Sequence, residues 1–201
     1  ATVFRYGLCT CQGLSSGASI TVDSFDSTRP GVMTLGTGGS VGCDADVNVS
    51  NQLAVGGTLQ VVGAVTVSAP MTVGVDALVG ASLAGDQSIT IGRNAQVGSD
   101  VRCNGALSIT GSLTFPAGKT LTAPNQKIGS IVRAPVVVMP PCDCGAGNTY
   151  DIAGYVEGRR SSNDNAAIGL DPALLTNFSG DQTLNLPCGR FFLNRITGAG
   201  K

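Results

Sequence analysis

From Val41 onward, apolar residues return at every sixth position. The series runs Val41, Val47, Leu53, Leu59, Val65, Met71, Ala77, Leu83, Ile89, Ala95, Val101, Leu107, Leu113. A second series follows two residues behind, from Cys43 and Val49 through Val55, Val73, Ile91, Val97, Cys103 and Ile109 to Phe115. Only Gly85 in it lacks an apolar side chain. Residues i and i+2 of a strand share a face, so each hexad reads as a short strand with two inward side chains, followed by a bend. A helix would need spacings of three and four. A meander would bring hairpin turns and variable loops. A repeat sustained this long marks a solenoid, and three strands per coil give a triangular rung of about 18 residues.

The positions between the inward pairs are Gly, Ser, Thr, Asn, Asp and Ala, the residues that make bends. Glycines such as Gly56, Gly74, Gly92 and Gly98 fall in or beside the bends, where a positive φ would cost them nothing. The expected fold is therefore all-β: a parallel β-solenoid over residues 35–123, preceded by an N-terminal strand and cap over 1–34. Residues 124–201 read as a small Cys-containing β-rich C-terminal domain, or the start of a second solenoid. Left-handed hexapeptide coils keep the first inward position small. Ala77 and Ala95 fit that habit but Leu53, Leu59, Met71 and Leu83 do not, which favours a right-handed triangle.

The stretch Ile89-Thr90-Ile91-Gly92-Arg93-Asn94-Ala95-Gln96-Val97-Gly98 resembles the bactofilins, and the likeness extends over about residues 32–122. That resemblance implies a right-handed triangular core that polymerises end to end. The flanks depart from it, because bactofilin tails are polar whereas these carry Cys and apolar strands. The flanks are similar instead to uncharacterised secreted bacterial solenoid domains with comparable Cys-x-Cys and Leu-Pro-Cys-Gly pairs.

In the C-terminal region, Ile128–Met139 reads as a strand pair broken at Pro135, Tyr150–Glu157 alternates like a strand, and Thr183–Ile196 reads as strand again. Asp171-Pro172 should cap a single helical turn. Among the seven cysteines, Cys43 and Cys103 occupy inward positions about three rungs apart. That is roughly 14 Å or more, beyond the ~7 Å limit for a bridge, and they read as buried core thiols. Cys9, Cys11, Cys142, Cys144 and Cys188 lie in turns, and such clustering points to disulfides in an oxidising, secreted or cell-surface setting. The expectation is that Cys142 or Cys144 bonds Cys188, while Cys9 or Cys11 takes another partner and one thiol is left over. Metal is the rival reading of the two Cys-x-Cys motifs, but zinc pairs normally leave at least two residues between the thiolates.

Composition narrows the function. Of 201 residues, 12% are charged, 29 are Gly, none is Trp or His, and net charge is −1. Without His, a Ser-His-Asp or Cys-His nucleophile cannot be built, and no cofactor motif is present. Arg and Lys form no basic stripe, so nucleic acid is not an expected partner. No run of about 20 apolar residues offers a membrane span. Asn163-Asp164-Asn165 with Asp151 or Asp171 lacks the spacing of a calcium loop and reads as a turn. Asp44 and Asp46 read as solvated bend residues. The start at Ala1 points to a removed leader or a trimmed chain.

A non-enzymatic structural protein is therefore expected, its partner a second copy of itself, in a filament or sheath joined through the solenoid ends. The residues expected at those contacts are Ile20, Val22, Phe25, Leu35, Leu184, Leu186, Phe191, Leu193 and Ile196. The rival is a surface binder for ice or polysaccharide, using the flat outward column Ala54, Thr72, Thr90, Ser108.

Overall fold

The computed structural model describes residues 6–23, 38–145, 151–181 and 183–199. The chain forms two compact units, 1–144 and 145–201. The first is a parallel β-solenoid of about five turns, with about 18 residues per turn.

Each turn contributes three three-residue strands. The first holds β1 (Leu8–Thr10), β2 (Leu14–Ser16) and β3 (Ile20–Val22). Next come β4 (Val41–Cys43), β5 (Val47–Val49) and β6 (Leu53–Val55), then β7 (Leu59–Val61), β8 (Val65–Val67) and β9 (Met71–Val73). They are followed by β10 (Ala77–Val79), β11 (Leu83–Gly85) and β12 (Ile89–Ile91), then β13 (Ala95–Val97), β14 (Val101–Cys103) and the longer β15 (Ala106–Phe115). β15 turns a corner and supplies two faces. β16 (Leu121–Thr122) and β17 (Asn125–Arg133) close the stack, pairing with β14 and β15 respectively.

The register is the one the hexads require. Val22, Val55, Val73, Ile91, Ile109 and Ile128 stack one above another. Both inward series from Val41 to Phe115 are buried, Gly85 included, and their apolar side chains form one continuous core. At Gly85 a Cβ would lie 2.8 Å from Ile89 Cδ1, so the neighbouring strand's side chain occupies the space that the glycine leaves. The two core thiols are free and buried, and each points at bend carbonyls. Cys43 Sγ is 3.3 Å from Gln12 O, and Cys103 Sγ is 3.0 Å from Gln87 O. A weak S–H donor thus serves a carbonyl that an aliphatic side chain could not.

The coil is longer than the hexad series from Val41. Residues 8–22 are a complete rung rather than a leading strand and cap. Leu8, Leu14 and Ile20 keep the six-residue spacing, but Thr10 and Ser16 interrupt the second apolar series. After Phe115 the offset between stacked strands grows by two residues, pairing Val101 with Leu121. A turn at Pro116–Lys119 takes up the difference, with Gly118 at φ +82°.

The corner glycines of the coil have no positive φ; among the described residues that property belongs to Gly118, Gly169, Gly180, Gly198 and Asn177. Glycine is needed in the corners for close approach instead. A Cβ on Gly74 or Gly92 would lie 2.1 Å from the carbonyl oxygen of the corner residue one rung below, and on Gly98 1.9 Å.

Beyond Arg133 the chain is extended and outside any ladder as far as Pro141, so Ile128–Met139 is not a strand pair. Among its described residues the second unit is not β-rich either. Of the strand expected at Tyr150–Glu157, Tyr150 lies outside the described residues and the rest falls at the start of helix α1 (Ile152–Ser161). It is fixed by Asp151, whose side chain accepts from Gly154 N, and by Arg159 and Arg160 in the last turn. A short α2 (Asn165–Ile168) follows. Asp171 accepts from Ala173 N at 2.8 Å and caps the turn that follows. Thr183–Ile196 forms no strand, and the unit's one isolated bridge among the described residues joins Phe178 and Gly198.

Candidate assembly edges and the disulfide-tied strap

The two ends of the coil are built differently. At the N-terminal end, β1 and β3 are the terminal strands of one sheet and β2 of the other. Among the described residues no element pairs with their outer edges. Leu8, Leu14, Ile20 and Val22 pack on the core from one side only and are partly exposed. At the C-terminal end, the inward columns of the larger sheet finish on β17, and that of Val101 finishes on β16 at Leu121. Leu107 is followed by Gln126, Leu113 by Ile131 and Phe115 by Arg133. The Arg133 guanidinium lies 3.7 Å from the centre of the Phe115 ring and donates to Lys119 O at 2.9 Å. Gln126 and Arg133 thus top two of the columns with polar groups, while Leu121, Ile128 and Ile131 top others, and the outer edges of β16 and β17 have no strand partner among the described residues.

Three outward columns mark the faces. Thr21, Ala54, Thr72, Thr90 and Ser108 stack in register and end at Lys127. A second face carries Ser15, Asn48, Thr66, Ala84, Arg102 and Thr122. The third carries Cys9, Gly42, Gln60, Leu78, Gln96 and Thr114.

Residues 134–141 return along this third face as a strap. Eight extended residues reach about 26 Å, matching about 24 Å for five rung spacings. Ala134 N donates to Phe115 O at the far end, and Gln60 Nε2 donates to Met139 O at 2.8 Å. Tyr6 Oη in turn donates to Gln60 Oε1. Ala134, Val136 and Val138 are half-buried and alternate with exposed Pro135, Val137 and Met139. At Gly42 a Cβ would lie 2.8 Å from Cys9 Sγ and 3.0 Å from Pro141 Cβ, so the strap seats where that residue has no side chain.

Two disulfides fasten the strap to the first rung, Cys9–Cys142 and Cys11–Cys144. Asp44 aligns it, accepting from Cys142 N at 3.0 Å, with its other oxygen 3.1 Å from Cys144 Sγ. These bonds correct the expected pairing with Cys188, which is an exposed free thiol in the second unit. The paired Cys-x-Cys motifs were a usable signal, since equal spacings allow two strands to be laced side by side. The bonds fit an oxidising, extracellular setting. Among the described residues, no three Cys, Asp or Glu side chains gather to hold a metal, and no helix is long and apolar enough to cross a membrane.

The polar bend residues are clips between rungs rather than solvated ornaments. Ser40 Oγ accepts from Thr58 N, Asp46 from Ala64 N, Asp76 from Asn94 N, Asn94 from Ser112 N and Asp100 from Thr120 N. Each accepts a backbone N–H one coil further on. The Arg93 guanidinium, hydrogen-bonded to Asp76, holds that carboxyl below its ordinary value, with help from Asn94 N and against a desolvation penalty. The Thr120 backbone N–H and hydroxyl do the same for Asp100. A carboxyl with a depressed folded-state pKa stabilises the fold above its unfolded pKa and loses that contribution as pH falls through the folded value. Stability of the first unit should thus be level from pH 7 to about 5 and fall below about pH 4, near the unfolded Asp value. Asp76→Asn should be less stable at pH 7 and show a shallower acid limb in urea titrations at stepped pH. An unchanged acid limb would contradict the role of this clip.

The other expected contact residues fall in two places. Ile20 and Val22 lie on the open edge of β3. Phe25 and Leu35 lie outside the described residues. Leu184, Leu186, Phe191, Leu193 and Ile196 belong to the second unit, where Leu186 and Ile196 are exposed. That unit is organised by Asn165, which is buried and bonds the backbone of Phe192 twice, Nδ2 to O at 2.7 Å and Oδ1 from N at 3.0 Å. Asp164 accepts from Arg190 N, and Asn163 Nδ2 donates to Arg159 O. The Asn-Asp-Asn run is thereby accounted for: Asn163 ties to the end of α1, and Asp164 and Asn165 clip to residues 190–192.

No protein-family model matches the chain, and comparison with curated proteins and with solved structures finds no match either.

Proposed function

We propose that this is a non-enzymatic structural protein, a subunit of an extracellular or cell-surface filament or sheath that assembles through the ends of its solenoid in the manner of the bactofilin architecture. The observation that carries this reading is the pair of open ladder edges, β1–β3 at one end and β16–β17 at the other, unpartnered among the described residues. An unpaired strand edge is a template for another chain. Joining unlike ends is a heterologous contact that does not close on itself unless rotation forms a ring. Half-exposed Leu8, Leu14, Ile20 and Val22 add an apolar component to the first edge, and a net charge of −1 leaves little long-range repulsion between copies.

Negative-stain imaging of the full chain across a concentration series should show filaments. The double variant Leu14→Lys/Ile20→Lys should abolish them while leaving the fold intact by circular dichroism. Monodisperse particles of the wild-type chain at every concentration would refute end-to-end assembly.

A second reading rests on the outward Thr21–Ala54–Thr72–Thr90–Ser108 column, whose threonines are exposed and which repeats at about 4.8 Å, as suits an ordered surface such as ice or a crystalline polysaccharide. It is distinguished by a chain that stays monomeric, co-sediments with the insoluble polymer and loses that property in Thr72→Lys/Thr90→Lys.

A further inference from the structure

We propose that the Cys9–Cys142 and Cys11–Cys144 bonds form a redox-gated mechanical shunt that keeps the solenoid out of the path of tension. The coil begins at Leu8 and its strap ends at Cys144, so the chain enters and leaves the first unit at the same rung. A pull applied N-terminal to Cys9 and C-terminal to Cys144 passes through either disulfide. Every strand from β2 to β17 lies in the covalent loop between them and carries no load. The coil thus lies beside the load path as a folded reserve of chain, with β17 at the end far from the disulfides.

The alternative pairings have different consequences. Local bonds, Cys9–Cys11 and Cys142–Cys144, would place the whole coil in series with the load. The strap excludes them by geometry, because it delivers Cys142 and Cys144 beside Cys9 and Cys11 with Cα separations of 5.8 and 5.7 Å. Its docking is also noncovalent, through Phe115 O, Gln60 and Asp44. The thiols therefore stay near their partners after reduction in the absence of load, and the latch can close again when an added disulfide compound, itself reduced to two thiols, takes up the two electrons and two protons that each bond releases.

Opening the latch requires a dithiol or two monothiols per bond. Each Cys–Cys bond takes up two electrons and two protons to give two thiols, while the reductant's two thiols become a disulfide. Under load the reduced strap peels and the coil unwinds from its ends. The sequence separation across each bond is 133 residues, which at about 3.4 Å per residue gives roughly 45 nm of new contour length.

Single-molecule stretching of the full chain from its two ends tests this. The oxidised chain should extend without the ~45 nm increment; with a dithiol reductant present, the increment should appear. Cys9→Ala/Cys142→Ala should still lack it under oxidising conditions, because the second bond carries the load alone, and should gain it on reduction. This variant keeps the test valid if removing all four cysteines prevents folding. A ~45 nm increment in the oxidised wild-type chain would overturn the proposal, as would a reduced chain, still β-structured by circular dichroism before the pull, that extends no further than the oxidised one.

Discussion

Ile91→Asp is expected to abolish the cooperative unfolding transition of the first unit. Ile91 is fully buried, stacked between Val73 and Ile109 at the middle of a column that runs the length of the coil. Removing its side chain forfeits about 1.5–3 kcal/mol of burial. A carboxyl in that position adds the cost of a polar or charged group with no partner, on the order of several kcal/mol more. The total is comparable to the 5–15 kcal/mol by which a domain is typically stable. The lesion is worse in a stack than in a globule, because each rung contacts only its neighbours and a broken middle rung leaves two short stacks. Denaturant titration followed by circular dichroism checks this, with Thr90→Asp as the control. Thr90 is the adjacent residue on the same strand but faces outward, and its substitution should cost within about 0.5 kcal/mol. Equal effects at the two positions would mean that the inward and outward assignment is wrong.

Gly92→Ala is expected to destabilise the first unit by about 3 kcal/mol, the upper part of the range for overpacking. The added Cβ would sit 2.1 Å from Gly74 O and 2.9 Å from its carbonyl carbon. The obstacle is backbone, and the rung spacing that places it is set by the parallel ladder of β9, β12 and β15, so the corner cannot yield without breaking hydrogen bonds. The same substitution at Gly158 should act in the opposite direction. Gly158 lies within exposed α1 with nothing within 4 Å of its would-be Cβ. Alanine there should add about 0.5–1 kcal/mol of helix propensity. Thermal melts of the two variants, read by the strand signal for the first and the helix signal for the second, check both signs.

The corner glycines show where reading residues one at a time falls short. Their bend positions were evident, and a positive φ was the natural reason to expect glycine there. The actual reason is the carbonyl of a residue a full coil away, which becomes visible only once rungs are stacked. The same holds for the polar bend residues: Asp46, Asp76 and Asp100 look like solvated turn formers until the next rung's N–H groups stand above them.

The first rung was missed although Leu8, Leu14 and Ile20 keep the spacing. Thr10 and Ser16 spoil the second series, and residues 23–40 interrupt the count before Val41. In the second unit, alternation at Tyr150–Glu157 pointed to strand. The Asp151 cap and the pairing of Arg160 with Glu157 along one helix face prevailed, since a short alternating run without a neighbouring strand has no ladder to join. The disulfide partners were hinted at by the matching Cys-x-Cys spacings but not decided by them, for a related reason. Bond formation depends on which cysteines the strap brings within about 6 Å, and the strap's path over Gly42 and Gln60 is a property of the folded coil's outer surface.

The amino-acid order alone determined the coil between Val41 and Phe115: its period, its strand positions and which side chains face inward. A strand alternates its side chains strictly by residue number, and a hexad repeat leaves one way to bury both apolar series. Tertiary structure decided how the coil is finished and fastened, through the first rung, the packing of Arg133 over Phe115, the strap and the choice of Cys9 and Cys11 as its anchors. Those features arise from groups distant in the chain meeting across stacked rungs, and no local periodicity records such meetings.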